Sequence, residues 1–152
     1  PDNEIGEFHK PESHLIPLVL DAVEGNRGHI KIFGTDYNTY DGTCIRDYVH
    51  VSDIINAHVL GLNWIKKGGA NRVYNLGTGQ GFSVREVIKC VEQVTKEKVP
   101  VIECNRRSGD CAKLVSGSFL VKEELGWKPI QSNLNQMIND AWKWHKTGSY
   151  SK

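Results

Sequence analysis

Apolar residues recur along the chain at two spacings that alternate with each other. Apolar positions three or four residues apart are typical of amphipathic helices, whereas short runs rich in β-branched residues are typical of strands. The pattern predicts helices over residues 15–25, 52–67, 83–97, 118–126 and 133–145, and strands over residues 29–33, 44–51, 72–77 and 99–104. Because helices and strands alternate, we expect an α/β fold with a few short strands and packed helices.

Capping residues set several of the predicted helix boundaries. Ser13 can accept the first backbone amides of the helix at 15–25, and Gly25 ends that helix. Ser83 and Glu86 have the spacing of a capping box, in which each side chain accepts an amide of the other residue. Residues 1–12 have no helix or strand pattern and are predicted to be a connector.

A glycine-rich loop, GTGQG, follows the predicted strand at 72–77 and opens the helix at 83–97. Strand-loop-helix units of this type bind dinucleotides, and Glu103 follows where an acid could bind a ribose. Phe82 replaces the third glycine, however, and would keep the helix from packing closely on the strand. A capped turn and a helix start whose amides face a nearby ligand are the other two interpretations.

Arginines provide the candidate anion sites. The segment NRRSGD places two guanidinium groups beside an acid, which suits a diphosphate and a hydroxyl, although a solvated loop has the same composition. Arg46 falls on a mostly apolar strand, where an unpaired charge costs several kcal/mol. It therefore needs an anionic ligand or Asp47 as its partner, and both interpretations stay open.

Metal and nucleophilic chemistry have little support in the sequence. His50, Asp53 and His58 are near one another, but a strand-to-helix junction would separate them and their spacing is not that of a ligand set. No serine, cysteine or histidine stands in a nucleophile motif. We therefore predict no metal site, and acyl-transfer chemistry has no support.

Composition limits the partners and the compartment. Lys and Arg number 19 against 18 Asp and Glu, so no extended field exists to bind nucleic acid or an anionic membrane. No apolar run approaches the ~20 residues that a membrane helix needs. The 4 cysteines lack CxxC spacing, which favours free thiols in a reducing compartment. We therefore expect a cytoplasmic protein with neither a nucleic-acid nor a membrane partner.

Five segments carry a resemblance to a known family. They are ESHLIPLVL, IKIFGTDYNTYDGTCIRDYVHVSD, VYNLGTGQGFSV, RRSGD and EELGWKP. In this order and at these separations they resemble the carboxy-terminal half of UDP-glucose 4-epimerases, members of the extended short-chain dehydrogenase/reductase superfamily. The resemblance implies that residues 1–152 form the small UDP-sugar-binding domain. Residues 1–12 would then be the connector from an amino-terminal Rossmann domain that the chain lacks.

The resemblance also implies a substrate-binding role for eleven residues. Phe33 would stack beside uracil, and the backbone around Ile30 and Lys31 would read the edge of the base. Arg46 and Arg107 would neutralise the diphosphate. Further pocket positions of the family match Asp110, which would accept from a ribose hydroxyl, and His14, Leu15, Tyr48, Val84 and Leu114.

Two of these matches leave details open. His14 stands where some members of the family carry Asn, so its contact is not defined by the resemblance. Leu114 matches a position beside the sugar that helps to decide whether an N-acetyl group fits. Since leucine is intermediate in bulk, the choice between UDP-glucose and UDP-N-acetylhexosamines stays open.

The implied reaction is an NAD-dependent interconversion of UDP-glucose and UDP-galactose in galactose metabolism. In the family a Tyr-x-x-x-Lys pair and a glycine-rich NAD loop precede the part that this chain resembles. None of the 5 tyrosines has a lysine four residues later. The resemblance therefore implies that this chain holds no catalytic residue and is inactive alone, that NAD binds to the missing domain, and that the parent enzyme is a homodimer. A stand-alone nucleotide-sugar-binding module without catalysis is the alternative.

Overall fold

The computed structural model describes residues 6–147, and the predicted α/β fold class is confirmed. The first five residues of the predicted connector lie outside the described residues. In chain order the elements are α1 (Leu15–Val23), β1 (Ile30–Phe33), β2 (Ile45–Asp47), α2 (Val51–Lys66), β3 (Gly81–Ser83), α3 (Val84–Thr95), β4 (Val101–Cys104), β5 (Lys113–Leu114), α4 (Phe119–Leu125) and α5 (Leu134–Thr147). Among the described residues, no helix has both the length and the apolar character needed to cross a membrane.

The strands form two small sheets. β1 and β4 pair in parallel, with Ile30 opposite Val101. In the second sheet β2 lies in the middle, antiparallel to β3 and parallel to β5. The pairing of β2 with β5 places Arg46 opposite Leu114.

The main core lies between β1 and three helices, α1, α3 and α5, which also pack on one another. The helix α3 supplies Val87, Ile88 and Val91, whose spacing places all three on one face. These residues and Ile138 of α5 are almost fully removed from water, and burial of each aliphatic side chain contributes roughly 1.5–3 kcal/mol. A second, smaller core surrounds Trp127, which is fully buried between α2 and α4.

One predicted helix cap and one predicted helix start are wrong. His14 is the N-cap of α1 in place of Ser13, and no side chain caps this helix. Glu12 lies close enough to take the amides of Ser13 and His14 itself, both at 2.7 Å. The helix α2 begins one residue before Ser52, because the imidazole Nδ1 of His50 accepts the Ser52 amide at 3.0 Å. The capping box of Ser83 with Glu86, in contrast, is confirmed.

Two strand predictions also differ from the structure. Residues 72–77 do not form a strand, and Val73 in this segment is 89% exposed. They do not pair with any described strand, so the backbone there lacks the hydrogen bonds of a sheet. The strand β5 lies instead in a segment for which no strand was predicted, and it forms because β2 provides its partner.

One face of α2 is apolar and exposed. It consists of Val51, Ile55, Val59, Leu62 and Ile65, each of which is 51–59% exposed. We call this surface the exposed α2 face. The opposite side of the helix is buried through Asp53 and Ala57. The amphipathic character predicted from the sequence is thus present, but the described residues leave the apolar side uncovered.

A buried carboxylate holds the start of α2 against the connection between α4 and α5. Asp53, which is 2% exposed, accepts the amides of Ile130 and Gln131 at 3.1 and 2.9 Å and the hydroxyl of Ser132 at 2.6 Å. The Ser132 oxygen in turn accepts the amide of His50 at 2.9 Å. A charged group this far from water requires such saturation with donors.

We predict that Asp53→Asn lowers the free energy of unfolding by about 2 kcal/mol. The amide can accept from fewer of the three donors, and its own N–H group would face at least one of them. Urea unfolding measures the change. Glu123→Gln, which neutralises an exposed carboxylate of α4, is the matched control and should change stability by under ~0.5 kcal/mol. Equal effects of the two substitutions would contradict the role of Asp53.

Candidate functional site

Two arginines converge on one carboxylate at the end of the two sheets. Asp110 lies 2.9 Å from Nε of Arg107 and 3.6 Å from Nη2 of Arg46. The guanidinium group of Arg107 also stacks over the ring of Phe33, 4.6 Å from its centroid. We call Phe33, Arg46, Arg107 and Asp110 the arginine cluster. Since two positive charges face one negative charge, the cluster retains a local excess of positive charge.

The side chains of the two arginines differ in conformational freedom. Nη1 of Arg46 donates to the backbone oxygens of Ile45 and Cys111 at 2.9 and 2.8 Å, and the side chain is 27% exposed. Among the described residues, the side chain of Arg107 hydrogen-bonds to Asp110, and it is 60% exposed. Arg46 is therefore a fixed cation, whereas Arg107 can turn toward a ligand.

Asp47 is not the partner of Arg46, although the sequence left that pair open. Alternation along β2 turns the two side chains apart. Asp47 instead accepts the amides of Thr78, Gly79 and Ser116 at 3.1, 3.1 and 3.2 Å and the Thr78 hydroxyl at 2.6 Å. Two backbone amides of the glycine-rich loop thus donate to a protein carboxylate. This contradicts the interpretation of the loop as a phosphate-binding loop for a dinucleotide.

The backbone amides at the start of α3 also have hydrogen-bond partners within the chain. The amide of Val84 donates to the Cys44 oxygen at 3.1 Å, that of Arg85 to the Thr43 hydroxyl at 3.4 Å, and that of Glu86 to the Ser83 hydroxyl at 3.0 Å. The first-turn amides therefore have internal partners. This corrects the interpretation in which they face a ligand, and the capped turn is the interpretation that remains.

The two adjacent arginines of NRRSGD have different roles. Arg106 is held by Asp36, with 2.8 Å between Nε and Oδ1, and lies over the ring of Tyr37 at 4.2 Å. Gly34 makes this packing possible, because a Cβ atom there would lie 2.4 Å from the Tyr37 ring. Arg106 therefore supports the loop, and only Arg107 of the pair reaches the arginine cluster.

The strand β1 presents one backbone edge without a partner among the described strands. Ile30 donates its amide to the Pro100 oxygen, and Gly34 donates to the Cys104 oxygen, both at 2.8 Å. Backbone groups alternate between the two edges of a strand, so those of Lys31 and Phe33 face away from β4. The side chain of Ile30 is buried in the main core. The free edge therefore belongs to Lys31 and Phe33.

A cleft of about 470 Å³ lies beside the arginine cluster. Its lining residues are Arg46, Asp47, Asn75, Leu76, Leu114, Val115, Ser116 and Gly117. Arg46 and Leu114 were identified from the sequence. Asn75 was not identified, because residues 72–77 were assigned to a strand. Ser116 was not identified either, because long-range contacts, the pairing of β5 with β2 and the hydrogen bond to Asp47, bring its segment here.

The remaining predicted residues lie at the margin of the main core or next to α1. Leu15, Tyr48 and Val84 are partly buried against that core. His14 lies at the start of α1, where its side chain is 54% exposed. Tyr48 is linked to the arginine cluster electrostatically: burial raises the pKa of its phenol to about 12, and the charge of Arg46 limits the rise.

We predict a loss of stability at high pH that Tyr48→Phe reduces. Burial favours the neutral phenol, so its contribution is complete below pH 10 and is lost as the pH rises toward about 12. A shift of this size corresponds to roughly 2–3 kcal/mol. Urea unfolding at a series of pH values measures it. A Tyr48→Phe variant that loses stability as steeply as the unsubstituted chain over this range would contradict the prediction.

The chain is similar in sequence to known proteins. The model of the NAD dependent epimerase/dehydratase family matches residues 1–77. A UDP-glucose 4-epimerase of Halalkalibacterium halodurans is 49% identical over 146 residues, which cover 96% of this chain and 44% of the relative. The chain thus spans less than half the length of that relative.

The chain is also similar to solved structures in both sequence and fold. A crystal structure of a UDP-glucose 4-epimerase is 51% identical with a TM-score of 0.92, covering 95% of this chain and 44% of that one. The enzyme from Stenotrophomonas maltophila, solved with NAD and formylated UDP-arabinopyranose, is 40% identical with a TM-score of 0.92, covering 99% and 45%. With half of its residues matched by the family model, the chain belongs to the NAD dependent epimerase/dehydratase family.

Proposed function

We propose that this chain is the UDP-sugar-binding part of an NAD-dependent UDP-glucose 4-epimerase, an enzyme that interconverts UDP-glucose and UDP-galactose in galactose metabolism. The arginine cluster is the observation that carries the proposal. It combines an aromatic ring, two guanidinium groups and a carboxylate acceptor, which are the groups needed for a base, a diphosphate and a ribose hydroxyl.

The diphosphate binds between Arg46 and Arg107. Arg46 is already fixed by two backbone oxygens, so little side-chain freedom is lost when it meets a phosphate. Arg107 turns from Asp110 toward the second phosphate. Each charge-assisted hydrogen bond contributes about 1.5–3 kcal/mol. Asp110 then accepts from the ribose, and these contacts hold the nucleotide firmly.

Uracil lies beside Phe33 at the free edge of β1. The unpaired backbone groups of Lys31 and Phe33 supply a donor and an acceptor for the edge of the base, while Ile30 supports the strand from the core. His14, Leu15, Tyr48 and Val84 complete the pocket around the nucleotide in this proposal. Aromatic contact with the ring of Phe33 adds to the affinity.

The hexose occupies the cleft next to Leu114 and is held less tightly than the nucleotide. The cleft offers the apolar side chains of Leu76, Leu114 and Val115 beside Asn75. A 4-epimerase has to present both faces of the 4-keto sugar to the same NAD, so weak contacts to the sugar suit the reaction. UDP-N-acetylhexosamines remain candidate substrates, because Leu114 is 63% exposed and leaves space around it.

NAD and the catalytic residues belong, in this proposal, to an amino-terminal Rossmann domain joined through residues 1–12. Two observations support it. Asp47 occupies amides of the glycine-rich loop, so that loop is not the NAD site. The exposed α2 face is apolar over four turns and is suited to pack on another domain. In this proposal the parent enzyme is a homodimer, and the 4 free cysteines of this chain suit the cytoplasm.

We predict that the chain binds UDP and that Arg107→Ala weakens the affinity about tenfold to a hundredfold, because one charge-assisted contact is lost. Calorimetric titration with UDP measures both dissociation constants. Arg107 is the better test residue than Arg46, since Arg46 also bonds to the backbone of β2 and β5.

The matched control is Arg72→Ala. Arg72 is similarly exposed, and it pairs with Glu124 at 3.2 Å, outside the arginine cluster. Its removal lowers the net charge equally and should change UDP affinity by less than about twofold. Absence of binding to a chain with a folded circular dichroism spectrum would argue against the proposal, as would equal losses in the two variants.

The chain by itself should not interconvert UDP-galactose and UDP-glucose in the presence of NAD, since it has no Tyr-x-x-x-Lys pair. A coupled assay of UDP-glucose formation measures this. Activity restored by adding a separately expressed amino-terminal domain would support the enzyme over the alternative, a stand-alone nucleotide-sugar-binding module. Turnover by the purified chain alone would refute the proposal that this chain binds the UDP-sugar while another domain holds NAD and the catalytic residues.

A further inference from the structure

Two segments of the chain form the walls of the cleft beside the arginine cluster. Asn75 and Leu76 come from one segment, residues 115–117 come from the other, and the end of β2 contributes Arg46 and Asp47. We call residues 75–80 and residues 115–117 the two cleft walls. Because the distance between the walls determines the width of the cleft, whatever fixes that distance controls what the cleft can hold.

The second sheet ends where the two cleft walls begin. β3 starts at Gly81, opposite Asp47, and β5 ends at Leu114, opposite Arg46. Since β3 is antiparallel and β5 is parallel to β2, the chain before β3 and the chain after β5 both leave the sheet at the end of β2. The cleft walls therefore lie beyond the backbone hydrogen bonds that hold these strands at a fixed distance.

The carboxylate of Asp47 joins the two cleft walls beyond the end of the sheet. Its Oδ1 accepts the amide and the hydroxyl of Thr78 at 3.1 and 2.6 Å. Its Oδ2 accepts the amide of Gly79, from the same wall, at 3.1 Å and the amide of Ser116, from the other wall, at 3.2 Å. N–H···O distances vary only between about 2.7 and 3.2 Å, so this shared acceptor fixes the spacing of the walls.

Gly77 lies where the two cleft walls meet. A Cβ atom at this position would lie 2.5 Å from Cβ of Ser116 and 2.8 Å from Oδ2 of Asp47. The backbone of Gly77 does not have a positive φ, so its conformation is open to other residues. The close approach of the walls therefore explains the glycine, and a larger side chain would force the walls apart.

We propose that Asp47 is a positioning residue that sets the width of the cleft and thereby the contribution of the hexose to the binding of a UDP-hexose. The inference rests on the proposed function, which places the hexose in this cleft. A carboxylate has about four lone-pair sites, and protein donors fill those of Asp47, so it acts through the walls and not by touching the sugar. Because sugar hydroxyls form hydrogen bonds over a narrow range of distances, a wider cleft loses them.

A ratio of two dissociation constants, measured by calorimetric titration, tests the proposal. One ligand is UDP-glucose, and the other is UDP methylated at its terminal phosphate, which carries the same charge but no hexose. Changes at the base or the diphosphate affect both ligands alike, so the ratio reports the hexose alone. We expect the unsubstituted chain to bind UDP-glucose about threefold to tenfold more tightly, which corresponds to about one net hydrogen bond.

Asp47→Asn should reduce this preference to less than about twofold, because the hydrogen bond that the hexose gains in the cleft is lost. The carboxamide has a single oxygen, so the donors to one of the two former carboxylate oxygens lose their acceptor and the wall that carries them can move. Circular dichroism checks that the variant is folded.

Gly77→Ala is the second variant, and it carries the test if Asp47→Asn does not fold. It removes no charge and no hydrogen-bonding group, but its methyl group separates the walls at Ser116, so the preference should fall in the same direction. The matched control is Glu123→Gln. It neutralises an exposed carboxylate of α4 outside the cleft and should leave the ratio unchanged.

Two results would overturn the role of Asp47 while the proposed function stands. One is equal binding of the two ligands by the unsubstituted chain, and the other is a ratio that stays the same in both folded variants. If the unsubstituted chain bound neither ligand, the proposed function would fail and this inference with it.

Discussion

The carboxylate of Asp47 holds together the part of the chain on which the candidate site depends. A charge that leaves water has to be supplied with donors, and the segments that supply them are thereby fixed in position. Asp47 receives donors from Thr78, Gly79 and Ser116, which lie in two separate loops. The cleft forms between these loops and β2. Asp53 acts in the same way where it joins α2 to the connection before α5.

Charged residues that are adjacent in sequence have different partners in this structure. Arg46 and Asp47 extend from opposite faces of β2, so Asp47 organises loops while Arg46 meets Asp110. Arg106 and Arg107 are separated as well, since Arg106 is held by Asp36 and Arg107 stacks on Phe33. The result is a fixed cation and a mobile one around a single carboxylate, with more positive charge than the protein itself neutralises. Such an arrangement suits an anionic ligand.

Local chemistry determined most of the elements. Apolar spacing alone indicated all five helices, and the spacing of Ser83 and Glu86 indicated the start of α3. Left-handed glycines such as Gly126, with a φ of 66°, end helices where predicted, because only glycine adopts this conformation without strain. These features depend on residues within one or two turns of each other, which the sequence displays directly. The charged residues of the arginine cluster were likewise identified by type and motif.

What the sequence by itself determined is therefore the α/β class, the helices and the identity of the charged residues, since each follows from short-range spacing. Only the tertiary structure decided which segments pair. β5 forms a strand paired with β2, whereas residues 72–77 do not pair with any described strand. It also decided that Asp47 takes the amides of the glycine-rich loop and that Arg107, rather than Arg106, joins the cluster. Sheet pairing and ion pairing join residues far apart in the chain, and no local pattern specifies the partner.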